Sequence, residues 1–563
     1  LAAQDRPRRP ATALHIVAAQ ASPCDELVIR AQPSTVDRPC VRKRLALAST
    51  ILGSSMAFID GSVVNVALAS IQSELGASVA AMQWVVNAYL LFLGSLVLVG
   101  GSMGDLLGRR TVFIAGIGLF TLASIACGLA PGSGTLIAAR AVQGIGAALL
   151  VPSSLAIIGA VFDDSERGRA IGTWAGIGAI TSAAGPVAGG WLVDVLSWRA
   201  IFFVNVPLAC ITVALAVVSV PNSHRSDAPR QLDWAGAFAA AAGLAALTWG
   251  LTVASSRGLS NPLVLASMGI GILVLIAFVV IEMKSRNPMM PLDVFRSRDF
   301  IGANIVTLLL YFGLSGLFFF LPFTLIRAHD FSATEAGAAI LPVPVIIGVL
   351  SRFTGGLSDR YGPRALLTVG PVVAGVGFAM LGLPFVQGTY WSGFFPAMVV
   401  IGLGMTITVA PLTTTVMGAV SSERSGVASG INNAVARVAG LLAIAVLGIV
   451  FVWSHNAALA SSLKVLNIPA DIHRSGQLLE PEADAAEAVN TVRIPPHTPL
   501  ADAHDDAIDD ALRAVALVSA ACALAGAACS AAMIRTRSFA PASNDAARDS
   551  TSDPASDTTA HSD

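Results

Sequence analysis

The chain has 563 residues, 55% of them hydrophobic and only 12% charged, with a net charge of −1. Soluble domains carry about 25% charged residues, so half of the surface that water would solvate is missing; a soluble core cannot absorb the excess, and a bilayer can. The near-zero charge argues against a nucleic-acid binder, which needs a basic face.

Residues 1–41 are polar and begin with Leu. The apolar stretch 11–19 is too short and mixed for a signal-peptide core. The segment reads as a disordered tail or an upstream extension and is given no structural role. A membrane helix needs roughly 20 mostly apolar residues. Such runs lie near 45–67, 81–103, 111–131, 135–161, 168–193 and 200–220, then 234–254 and 262–283. Further runs lie near 300–323, 335–354, 365–386, 393–417, 425–454 and 511–534. Residues 455–510, with Pro469, Pro481, Pro495, Pro496 and Pro499, read as a long external loop between the last two spans. Residues 538–563, rich in Ala, Ser, Asp and Thr, read as a disordered tail.

Basic residues cluster on alternate loops. Arg42, Lys43 and Arg44 precede the first span; Arg109 and Arg110, Arg167 and Arg169, Arg225 and Arg230, Lys284 and Arg286 follow the even ones. The opposite short loops carry little beyond Arg199, Arg257 and Arg327. Excess Lys and Arg marks the cytoplasmic side, so both termini are expected there. Of the six cysteines, Cys24, Cys40, Cys127, Cys210, Cys522 and Cys529, none has metal-ligand spacing. No metal site is expected, and no cofactor beyond a coupling proton.

A repeat runs through the chain. Gly101-Ser-Met-Gly-Asp105-Leu-Leu-Gly108-Arg109-Arg110 follows span 2, and Gly355-Gly-Leu-Ser-Asp359-Arg360-Tyr-Gly362-Pro-Arg364 follows span 10. Ser165-Glu166-Arg167 after span 4 is echoed by Ser422-Glu423-Arg424 after span 12. The offset aligns spans 1–6 with spans 9–14 and leaves spans 7 and 8 as an insertion. Two homologous halves place a cavity at their interface, and rocking one against the other alternates its access.

Over about residues 42–537 the chain resembles the major facilitator superfamily, and within it the fourteen-span drug:proton antiporter family. Gly101–Arg110 resembles the signature loop. Arg140, Gln143, Gly144 and Gly146 resemble the span 4 signature; Gly185-Pro186 with Gly189-Gly190 resembles the antiporter signature of span 5. Asp60 with Asn65-Val66-Ala67-Leu68, and Trp198-Arg199 with Asn205-Val206-Pro207, match signatures of the fourteen-span family. Leu106, Ala69 and Arg327 depart from the pattern, where a basic residue, Pro and Gln are usual. The resemblance implies an all-α membrane protein with the major facilitator fold: six-helix bundles over 42–220 and 300–537, joined by residues 221–299 carrying two extra spans. It implies a multi-pass protein of the bacterial inner membrane that exports amphipathic drugs or other small molecules against protons. The chain is expected to act as a monomer; accessory efflux partners are left open.

Each motif has a bland reading beside the sharp one. Asp60 sits midway along an apolar helix, where a charge costs roughly 2.5–3.5 kcal/mol on insertion scales. It reads as a proton carrier, or as a helix–helix hydrogen bond. Arg140 and Gln143 share a face at i, i+3; Arg140 reads as the carrier's relay partner or as a snorkelling interface residue. The Gly185-Pro186 pair, with Gly189 and Gly190, reads as a bend that interrupts span 5. By the resemblance that bend prevents leak and favours export; the alternative is the ordinary Gly and Pro content of membrane helices. Asp105, Arg109, Arg110, Asp359, Arg360 and Arg364 read as a conformational latch or as solvated topology charges. Asn433 and Arg437, at i, i+4 inside span 13, read as cavity or interhelix residues. Trp84, Asn87 and Tyr89 read as a substrate surface or an interface anchor. Glu282 reads as topological, and His329 and His455 as loop residues. Competing functions are export of one endogenous metabolite and a non-transporting receptor or sensor. An enzyme is not expected, since no nucleophile arrangement or metal cluster stands out. The absence of a GxxxxGK[ST] loop disfavours ATP-driven export.

Overall fold

A computed structural model describes residues 42–221, 233–285, 288, 290–382, 390–420, 425–465 and 499–535. The expected tails 1–41 and 538–563 lie outside the described residues. The described residues form helices and connecting turns, and 14 helical spans are long and apolar enough to cross a bilayer. In the first half these are α1 (Lys43–Leu75), α2 (Val79–Leu107), α3 (Arg109–Gly128), α4 (Ser133–Val161) and α5 (Asp164–Val195). The sixth span is built from α6 (Ala200–Phe203) and α7 (Asn205–Ser219). The inserted pair is α8 (Trp234–Arg257) and α9 (Pro262–Lys284). The second half has α10 (Arg298–Ala328), then α11 (Ala333–Ile340) with α12 (Pro342–Tyr361) as one span. It closes with α13 (Pro363–Gly382), α14 (Phe394–Gly418), α15 (Ser425–Val465) and α16 (Pro499–Met533).

The loop expected over 455–510 is shorter than the sequence suggests. α15 continues to Val465 and α16 begins at Pro499, leaving 466–498 outside the described residues. Hydropathy registers only the apolar part of a helix, whereas the Ala-rich flanks 455–465 and 499–510 keep helical propensity beyond it. Pro at the first helical position forfeits no hydrogen bond, and Asp502 in the first turn favours the helix dipole. His455 is therefore helical and packs edge-on against His504, at 5.1 Å between ring centroids. His329, just past α10, bonds Asp509 of α16 at 2.9 Å, and that hydrogen bond raises the His329 pKa.

The internal repeat is visible as repeated packing. α2 packs on α4 as α12 packs on α14, and α3 on α4 as α13 on α14. α1 meets α5 and α7, as α10 meets α15 and α16. The turn glycines match too: Gly108 and Gly362 both take positive φ, 99° and 77°, which a side chain would resist.

Among the described residues the most extensive contacts between the halves are α2 with α15, and α5 with α11. By the repeat these are each other's mates. The inserted helix α8 packs against both α2 and α15, so it buttresses the seam rather than merely linking the halves. Only 11% of the apolar window of α9 is buried, which leaves it facing lipid.

The α5–α11 contact depends on small residues. A side chain at Gly190 would fall 2.3 Å from the Ala333 carbonyl oxygen, and one at Gly337 would fall 2.2 Å from that of Pro186. Asp194 on α5 caps α11 across this contact, accepting from the Ala333 and Thr334 amides at 3.1 and 2.9 Å and from the Thr334 hydroxyl at 2.5 Å. Close approach of two backbones leaves no room for a Cβ. Gly190→Leu is therefore expected to part α5 from α11 and lower the melting temperature in detergent. Unchanged melting would show that this contact does not hold the halves together.

Candidate functional site

α1 carries Asp60 and α4 carries Arg140 and Gln143, one turn apart on one face. All three are buried, with Arg140 and Asp60 each 1% exposed. The Arg140 Nη1 group donates to Asp60 Oδ2 at 2.5 Å and to Gln143 Oε1 at 2.8 Å. Gln143 Nε2 donates to Asp60 Oδ1 at 2.8 Å, so both carboxylate oxygens are held. Arg140 Nε donates to the Val85 carbonyl at 3.0 Å, and its guanidinium lies 4.3 Å from the centroid of the Tyr89 ring. Charge, hydrogen bonds and a ring face together offset the loss of water, the condition for keeping an ion pair in a low-dielectric interior.

This network forms one wall of a cavity of about 160 Å³ between the halves. The first half contributes Gly61, Asn65, Tyr89 and Arg140; the second contributes Tyr311, Ser315, Phe318 and Arg437. A side chain at Gly61 would meet nothing within 4 Å, so that position opens on the space. Ligand sites run to about 300–1,000 Å³, so a drug-sized molecule needs the halves to move apart.

The C-terminal ends of α1 and α10 are held together. Arg327 of α10 reaches the Ala69 carbonyl and the Gln72 side chain of α1, both at 3.4 Å. Two positions where the sequence departs from the antiporter pattern thus meet across the halves. Trp198 donates to Glu74 at 2.7 Å, and Arg199 pairs with the same carboxylate, fixing the C-terminal end of α1 within its own half.

A family model described as Major Facilitator Superfamily matches residues 50–444, well over half of the chain. The chain belongs to the major facilitator superfamily. This facilitator is 35% identical to the puromycin resistance protein pur8 of Streptomyces alboniger over 75% of this chain and 84% of that one. It is 32% identical to the multidrug resistance protein Stp of Mycobacterium tuberculosis, over 85% and 89%. The crystal structure of a bacterial homologue of the human lysosomal transporter Spinster, inward-facing and unoccupied, matches with a TM-score of 0.60 at 16% identity, over 89% of this chain and 99% of that one. That likeness is one of fold.

In this facilitator Asp60, Arg140 and Gln143 come together, and Tyr89 and Arg437 reach the cavity. Trp84 is half-buried, and neither it nor Asn87 and Asn433 lines the cavity. On α2 the lining residues are Val86, Tyr89, Leu90 and Leu93, which leaves Asn87 on the neighbouring face. Span 5 is not interrupted: α5 runs continuously through Pro186. Its glycines are seats for other helices. A side chain at Gly185 would meet Ser62 Oγ at 2.2 Å, and one at Gly189 would meet Val63 Cγ2 at 1.7 Å. Gly101 of the signature loop lies on α2, where a side chain would sit 3.6 Å from Pro152. Arg109 and Arg110 donate to the Ala156 and Val220 carbonyls, and Arg364 to that of Ala531, each within its own half. The side chains of Asp105, Asp359 and Arg360, and the surroundings of Gly355, lie outside the described residues. Glu282 is buried and accepts from the Met290 amide at 3.0 Å, tying α9 to the chain that follows.

Asn65, Tyr311, Ser315 and Phe318 line the cavity without having been given a role from sequence. Asn65 carried a signal: it follows Gly61 by one helical turn, on the face that opens. The aromatic residues of α10 carried none, because a membrane helix shows the same residue types to lipid.

Removing one member of a buried ion pair costs about 3–5 kcal/mol, because the partner is left uncompensated. Arg140→Gln is expected to lower the melting temperature sharply, and Asp60→Asn in the same chain to restore much of it. Melting in nanodiscs checks this; a single variant as stable as the parent would mean that the pair carries no such energy.

Proposed function

We propose that this facilitator is a proton-coupled antiporter that exports amphipathic small molecules by alternating access across a bacterial inner membrane, with both termini cytoplasmic. The observation that carries the reading is the carboxylate of Asp60, held by Arg140 and Gln143 behind the cavity wall. Relatives named for puromycin and multidrug resistance support export. The mostly apolar lining suits ligands defined by shape and hydrophobic area rather than by many fixed contacts.

The chemistry follows from the pair. A proton on Asp60 removes the negative charge and leaves the Arg140 guanidinium buried without its counter-ion. That state is costly, and it is relieved if α1 and α4 shift so that Arg140 finds water or another acceptor. Ionised Asp60 restores the pair. Protonation is thus tied to helix positions, and helix positions decide which side of the cavity opens. Closure at Gly190, Gly337 and Asp194 gives the outward-closed end of this cycle its geometry.

Energised cells expressing the chain should extrude an amphipathic fluorescent dye. Extrusion should stop with a protonophore and should be lost, by at least about tenfold, in Asp60→Asn. Dye retention equal to that of cells lacking the protein would rule out drug export. Substrate-dependent proton flux in proteoliposomes would then separate a narrower exporter from a protein that does not transport.

A further inference from the structure

The outer part of the α2–α15 seam has an energetic peculiarity that the ion pair does not explain. Gln83 and Asn87 lie one turn apart on α2 and are 0% exposed. Both polar atoms of each side chain lack a hydrogen-bond partner among the described residues. Thr248 and Thr252 lie one turn apart on α8, are 0% exposed, and their hydroxyls also lack a partner among the described residues. Elsewhere in the same bundle threonine hydroxyls close on the carbonyl one turn back, as at Thr307, Thr406 and Thr408. The two threonines of α8 do not.

These four residues share one seam. α2 and α15 run antiparallel in a fixed register. A side chain at Gly448 would fall 1.9 Å from Gln83 Nε2, and Gly94 faces Arg437 Cβ at 3.3 Å. Leu98 then lies against Gly430. Leu244 of α8 packs with Leu91 of α2 and Leu441 of α15, placing α8 over that seam. Thr248 and Thr252 follow Leu244 at one-turn intervals, on the face turned away from α9, which Gly243 and Gly250 contact. Going outward from the leucine level, Asn87 lies one turn along α2 and Gln83 two. Thr248 and Thr252 rise by the same steps on α8. A column of six orphaned polar atoms thus runs up the outer half of the junction between the two halves and the inserted helix.

A buried polar group without a partner loses the hydrogen bonds that water gave it. The penalty applies only while the seam is closed and dry. We propose that Gln83, Asn87, Thr248 and Thr252 form a gating seam that takes up water when the outer ends separate, and that the inserted pair α8–α9 thereby biases the carrier toward its outward-open state. The inference rests on the alternating-access reading but not on proton coupling. It gives the inserted helices a part in the cycle: they hold polar groups against the seam so that outer closure is never fully relaxed. The outer contacts at Asp194, Gly190 and Gly337 work in the opposite sense, and the balance keeps both states within reach.

The sign of the effect makes the test sharp. Replacing these groups by apolar ones of similar size removes the penalty of closure and exposes apolar surface on opening. Two variants are made in the full chain in nanodiscs, Gln83→Leu with Asn87→Leu, and the near-isosteric Thr248→Val with Thr252→Val. Spin-labelled unnatural amino acids at Leu196 and Trp391, exposed at the outer ends of α5 and α14, report opening as a distance distribution. Both variants should melt at a higher temperature and lose outward-open population by about tenfold. Export should slow in maximal rate with little change in KM, and serine at 248 and 252 should retain parental behaviour. Lower melting with unchanged distances would overturn the proposal, since it would mean that the groups have partners in the closed state. Unchanged melting and distances would overturn it too. The distances and melting decide even if no substrate is transported, in which case the export reading fails separately.

Discussion

The structure turns on one ion pair placed where charge is least welcome. A lone carboxylate at bilayer depth costs several kcal/mol, and a lone guanidinium no less. Asp60 and Arg140 each take the other as the partner that water would otherwise be, with Gln143 on the remaining carboxylate oxygen and the Tyr89 ring under the guanidinium. Helices α1 and α4 are therefore tied together by a buried ion pair. A pair exposed to water would be worth almost nothing and could drive no rearrangement.

Around that pair, α5 and α11 meet backbone against backbone, at Gly190 with Ala333 and Gly337 with Pro186. Such contacts are tight when made and leave little behind when broken. Within each half the packing differs: Phe113, Phe120 and Trp174 are buried among aliphatic side chains in α1, α3, α4 and α5, and Ser54 bonds both Ser154 and the Trp174 indole. Rigid halves with small-residue seams suit rocking, since deformation concentrates where there is least side chain to repack.

The inserted pair breaks the symmetry of the repeat. α8 touches both halves while α9 faces lipid. α8 packs Leu244 against Leu91 of one half and Leu441 of the other. Two signature arginines hold carbonyls inside their own halves, Arg109 on Ala156 and Arg364 on Ala531.

The amino-acid sequence by itself determined the spans, the repeat and the family, because each is a local or periodic property. Apolar length sets a helix in a bilayer, and Gly108 and Gly362 mark equivalent turns whatever surrounds them. It also singled out Asp60, Arg140 and Gln143, since polar groups inside apolar runs are conspicuous against lipid. Only the tertiary structure decided that Asp60 and Arg140, eighty positions apart, meet, that Asn87 lies beside the cavity lining while Asn65 faces it, and that Gly189 seats Val63. The reason is physical. In a membrane helix every face is apolar enough for lipid, so periodicity does not distinguish the face that meets a neighbour from the one that meets the bilayer, and helix rotation is fixed by packing alone.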